Sequence, residues 1–179
     1  MKRFLLCIFF SPYYLSASAQ DDTLTIKKNI KLCSDSMAKA FLTKDWKTYA
    51  HFTIPSLVEM LGGEEGFIAF TREMLDEMPD SSIKDFKIGE IVQLVKTPGS
   101  WQAVIEQKLV FEGDSMRLKS TSYLVGISIN GGTAWTFLDP QGDVNTARLL
   151  LPELSEELII PKTIDDLQMK EQKEKKLTN

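Results

Sequence analysis

The stretch from Phe86 to Asp139 most constrains what this chain can fold into. It contains FKIGEIVQLVK, SWQAVIEQKLVFE, SMRLKSTSYLVGISI and TAWTFLD, divided by Thr97-Pro98-Gly99, Gly113-Asp114 and Asn130-Gly131-Gly132. Pro98 presets φ for a turn position, and Gly99, Gly113 and Gly131 accept the positive φ that tight reversals need. Four strand-like segments joined by short reversals predict an antiparallel meander. In the second segment Trp101, Ala103, Ile105, Gln107, Leu109 and Phe111 share one parity, so period two assigns them to the main core with Gln107 as the polar exception. In the third, apolar parity changes from Met116 and Leu118 to Tyr123, Val125, Ile127 and Ile129. A bulge near Ser120 to Ser122 and a strand covered on both faces are both consistent with that change.

An antiparallel sheet with one apolar face needs a cover, and the residues before it provide one. Ile26, Ile30, Cys33, Met37, Ala40 and Phe41 recur at the three-and-four spacing of a helical face. Asp45 can cap a short second helix carrying Trp46, Tyr49 and Phe52. Pro55 suits the first turn of a third, which Gly62-Gly63 should stop. Phe67, Phe70, Met74 and Met78 continue the pattern in a fourth. The expected fold class is therefore α+β: N-terminal helices packed on a strongly curved antiparallel β-sheet, cone-like, with room for a ligand at the open end.

The termini read differently. Lys2 and Arg3, an apolar run and Ala17-Ser18-Ala19 follow the order of a secretory signal, so residues 1–19 are expected to be removed and the product to be periplasmic or secreted. The run is broken by Ser11 and Pro12, which argues against stable membrane insertion. Removal leaves Cys33 as the one cysteine and takes the formal charge from −4 to −6. An intramolecular disulfide is thereby excluded, and nucleic acid is disfavoured as a partner. Residues 20–161 read as one α+β domain with a C-terminal extension pinned by Leu154, Leu158 and Ile159. Residues 162–179, rich in alternating Lys and Glu, read as a frayed helix or flexible charged tail.

Helix, DWKTYAHF, further helix, then long strands closing in TAWTFLD: this order, from about Thr23 to Asp139, resembles the nuclear transport factor two-like superfamily, also described as a cystatin-like α+β cone. The resemblance implies an internal pocket. It does not select a reaction, because members include isomerases, dehydratases, cyclases and transport factors. Enzymatic relatives commonly place Asp, His or Tyr side chains inside the cone. His51 is the single histidine of this chain, and no Asp-His arrangement is recognisable.

Candidate site residues follow from residue type and position. His51 and Asp139, with Tyr49, are the candidates for proton transfer in a cofactor-independent lyase or isomerase. A surface histidine, a turn-forming aspartate and a helix-packing tyrosine are the ordinary structural alternatives. Gln107, Trp101, Tyr123 and Trp135 are the candidates for ligand contact. One histidine and one mature cysteine do not make a common structural zinc set, the acidic residues lack EF-hand spacing, and no phosphate or dinucleotide loop is present, so neither metal nor cofactor is expected. The leading expectation is an exported, noncatalytic binding domain for a small apolar or mixed-polarity ligand or for a protein partner. A homodimer formed through the sheet is a further possibility.

Overall fold

The computed structural model describes residues 17–76 and 82–170. The expected signal segment lies almost wholly outside the described residues, as does the end of the expected tail. Four helices come first: α1 (Ala17–Leu42), α2 (Trp46–Phe52), α3 (Pro55–Met60) and α4 (Gly63–Asp76). The strands β1 (Ile83–Lys96), β2 (Trp101–Glu112), β3 (Met116–Ser128) and β4 (Thr136–Leu138) follow, then α5 (Val144–Leu150) and β5 (Ile164–Met169). The fold is α+β, with N-terminal helices and a five-stranded antiparallel sheet. No described helix is long and apolar enough to cross a membrane.

Local chemistry explains the helix limits. Asp45 accepts a hydrogen bond from the Thr48 backbone N–H at 3.1 Å and so satisfies an orphan donor of α2. Pro55 opens α3, where its missing N–H costs nothing. Gly62 and Gly63, at φ +91° and +80°, make the turn between α3 and α4. Along α1, Ile26, Ile30, Met37 and Ala40 are buried as their spacing predicts, and Cys33 is partly buried beside them.

The sheet order is β1-β2-β3-β4, and β5 also pairs with β3. β2 and β3 run in unbroken register from Trp101 opposite Ser128 to Glu112 opposite Arg117. The bulge considered at Ser120 to Ser122 is therefore absent, and the irregularities fall in β1, between Ile83 and Gln93. The parity change in β3 arises because its later half is covered on both faces. On the inner face Ile105, Leu124, Trp135 and Phe137 pack against α1. On the outer face Val104, Val125, Ile127 and Leu138 pack beneath Leu151, Leu154 and Leu158 of the C-terminal extension.

Two glutamines fasten that extension. Gln102, fully buried, donates to the Glu153 carbonyl at 3.0 Å and accepts from the Ser155 N–H at 2.8 Å. Gln93 treats Glu157 and Ile159 in the same way, at 2.7 and 2.9 Å. Each side-chain amide thus replaces a peptide group that a neighbouring strand would have offered, and for the buried Gln102 this also pairs a polar group that water cannot reach.

The segment after Lys162 departs from expectation. Instead of a frayed helix or free tail, Ile164–Met169 forms β5, antiparallel to Met116–Thr121 of β3. All six of its side chains are exposed, so backbone pairing holds it there, together with Lys170, which pairs with Glu112 at 2.8 Å and donates to the Gly113 carbonyl at 3.0 Å. β3 consequently shares one edge between β5 and β4, and Ser122 to Leu124 lie between the two pairings.

Candidate functional site

Asp139 enters at that interval. The end of β4 is fixed from its far side by the residues that leave α2. Thr53 bridges Phe137 in parallel sense, the Ile54 N–H donates to the Phe137 carbonyl at 3.1 Å, and the Thr53 hydroxyl donates to the Tyr49 carbonyl at 3.0 Å. This strap holds Tyr49 of α2 and Asp139 of the β4 exit in one neighbourhood, although 90 residues separate them in sequence.

Gln107, Ser122 and Asp139 form a closed polar triangle on the inner face. Gln107 and Ser122 are opposite one another in the β2–β3 ladder, so their side chains meet. The Gln107 amide donates to Ser122 Oγ at 2.7 Å and to Asp139 Oδ2, while the Ser122 hydroxyl donates to the same Oδ2 at 3.0 Å. The other carboxylate oxygen accepts from the Gln141 N–H at 2.8 Å, with Gln141 held at φ +53° in the Asp-Pro turn. Asp139 therefore forms the turn contact expected of an Asp-Pro sequence and also points an acceptor at the inner face.

Gln107 and Asp139 of this triangle line a cavity of about 610 Å³ between the helices and the inner face of the sheet. This size falls within the roughly 300–1,000 Å³ common for small-molecule sites. Its lining is mainly apolar and aromatic, with Phe41, Phe67, Phe70, Phe86, Phe111 and Phe137 among the rings. Asp139 and Gln141 are exposed at its rim, as are Phe70 and Met74 of α4. Tyr49 lines the interior, and its ring is tilted against those of Phe41 and Phe67 at centroid separations of 5.6 and 5.9 Å.

The electrostatics follow from this placement. Desolvation pushes the Tyr49 hydroxyl up to about 12, with a further contribution from the charge of Asp139. The protein crowding around Asp139 raises its carboxyl above the usual value, and the hydrogen bonds from Gln141, Ser122 and Gln107 oppose that rise. Its open side still faces the rim, so the group is both crowded and accessible.

Of the residues singled out from sequence, Tyr49, Gln107 and Asp139 converge on the cavity. His51 does not join them: it is exposed on α2 with its ring edge-on to Phe52, and it does not line the cavity. Helix geometry accounts for this, since residues two apart point to different sides. Trp135 is buried in the packed end of the inner core, where its indole donates to the Gly132 carbonyl at 3.1 Å. Trp101 is at that same end, with the Lys96 ammonium 5.3 Å from its ring centroid. Tyr123 packs on the outer face. Ser122 was missed, because a serine between threonine and tyrosine gives no signal until strand register sets it beside Gln107. Among the described residues no group of three or more His, Cys, Asp or Glu is placed to hold a metal ion.

No family model, curated protein or solved structure matches this chain.

Proposed function

We propose that this protein is an exported, noncatalytic binding domain of the nuclear transport factor two-like, cone-shaped type, and that it holds a small, largely apolar ligand between its helices and the inner face of its sheet. The observation that carries this reading is the cavity of about 610 Å³, apolar over most of its wall but interrupted by Tyr49, Gln107 and Asp139. A cavity of this kind supplies burial for a hydrophobic body and a few convergent polar groups for orientation. The order of helices and strands and the signal-like N-terminus support the superfamily and export parts of the proposal.

The test is a thermal-shift and calorimetric screen of the purified protein against small hydrophobic molecules. Binding to the folded state alone at one hundred times Kd adds about 2.7 kcal/mol of stability, which a melting experiment detects. Hits should compete with one another, and Leu124→Trp, which places an indole in the cavity wall, should weaken them together. A screen without hits, or hits indifferent to Leu124→Trp and mapping elsewhere by chemical shift, would reject the proposal.

A further inference from the structure

The charge inventory of the cavity narrows its ligand. Among the described residues no Lys, Arg or His lines it, and the ionisable groups in its wall are Asp139 and Tyr49. The polar wall is also unbalanced in hydrogen-bonding sense. The Gln107 amide nitrogen is already committed to Ser122 and Asp139, and the Ser122 hydroxyl is committed to Asp139. What these residues still offer a ligand is acceptor capacity: the Gln107 carbonyl oxygen and, with Oδ2 of Asp139 taken twice and Oδ1 once, the remaining lone pair of Oδ1, on a carboxylate that keeps its full charge. The Tyr49 hydroxyl, which has no hydrogen bond among the described residues, can turn to accept or donate. An anionic head such as a carboxylate or phosphate would meet a like charge with no cation among the described wall residues to offset it, whereas an ammonium would meet a carboxylate, a carbonyl oxygen and nearby aromatic faces.

We propose, resting on the binding role argued above, that the ligand is a hydrophobic amine whose protonated nitrogen sits at the rim against Asp139 and Gln107 while its apolar body occupies the aromatic interior. The position of Asp139 suits this arrangement. An ammonium at the rim keeps part of its hydration while it gains the carboxylate, so the desolvation cost that handicaps buried ion pairs is reduced. Charge complementarity then adds selectivity to a site whose affinity comes from apolar burial.

Three probes of matched chain length, decylammonium, decan-1-ol and decanoate, separate the possibilities when titrated below their aggregation concentrations into the purified protein at neutral pH. Binding is read by calorimetry and by displacement of an environment-sensitive dye. The expected order is decylammonium first, about five- to tenfold tighter than decanol, with decanoate weakest. Asp139→Asn should erase the advantage of the amine over the alcohol and leave decanol binding nearly unchanged, with circular dichroism confirming the fold. If that variant does not fold, the wild-type ranking decides alone. Decanol or decanoate binding as tightly as the amine would overturn this inference while leaving cavity binding intact, as would a folded Asp139→Asn variant that keeps the preference. Absence of binding by all three would overturn the inference together with the binding role for such chains.

Discussion

At the scale of single residues, Tyr49 is the clearest probe of the site. Its hydroxyl is raised from 10.0 to about 12 by burial and by Asp139. The folded state thus favours the protonated phenol, and the associated stability is present in full below the unfolded value near 10 and lost as pH rises through about 12. Alkaline difference spectra of the wild type against Tyr49→Phe should isolate a tyrosinate signal that develops near pH 12, or jumps earlier with global unfolding; a smooth rise centred at 10 in folded protein would contradict the buried setting. Asp139 has the same sign of linkage, since its raised carboxyl contributes most below the usual 3.8 and loses that contribution as pH climbs through its folded value. Gly132 tests packing instead of charge. It adopts φ +85°, and a Cβ there would lie 2.7 Å from Ile26 Cγ1 of α1. Gly132→Ala should cost about 1–3 kcal/mol in urea unfolding, through both backbone strain and overpacking.

At the scale of elements, what could be read from sequence tracks what side chains do. α1 and α2 were legible because apolar residues at helical spacing bury in the core, and α3 because Pro55 opens it; α4 was legible only in part, since Phe67 is buried but Phe70 and Met74 of its expected face are exposed, and β2 was legible because alternate side chains reach the inner core. The turn at Thr97 to Ser100 was announced by Pro98-Gly99 and closes with a Thr97 N–H to Ser100 carbonyl bond of 2.8 Å. β5 was not legible, because its pairing with β3 uses backbone groups and leaves Ile164, Leu167 and Met169 exposed. α5 was not anticipated, because it is a seven-residue helix that buries only Ala147, and its cap Asp143, whose carboxylate accepts from the Asn145 N–H at 2.9 Å, belongs to a Pro-Gln-Gly-Asp turn sequence. β4 is shorter than TAWTFLD suggests, as Ala134 instead donates to the Asn130 side chain in the preceding loop at 3.0 Å. Ending the chain after Thr163 provides a direct test of β5. Both cores should persist, with a loss of about 1–3 kcal/mol from the forfeited ladder bonds net of chain entropy. The Met116–Thr121 edge would then lie open, so sedimentation should show more self-association than in the full chain.

At the scale of the whole molecule, the sheet is covered unequally. One end is packed on both faces, by α1 within and by the C-terminal extension outside, whereas the other keeps a cavity under α4 and beside Tyr49. Sequence periodicity identified the inner-face residues of β2 but not where filling stops. Trp101 and Leu109 share a parity in β2, yet one joins the core and the other lines the cavity. That distinction depends on how far α1 and α4 lie from the strand, a long-range quantity with no local signature. It also implies a trade between stability and binding, because cavity walls forgo the contacts that close packing would supply. Leu109→Trp enlarges a wall side chain toward existing space, so it should stabilise the ligand-free protein by about 0.5–2 kcal/mol, as cavity-filling substitutions do. The same variant should lose at least about tenfold in affinity for any occupant of the cavity. Paired urea titration and calorimetry check both halves: destabilisation would mean the wall cannot accept the ring, and unchanged affinity would place the ligand elsewhere.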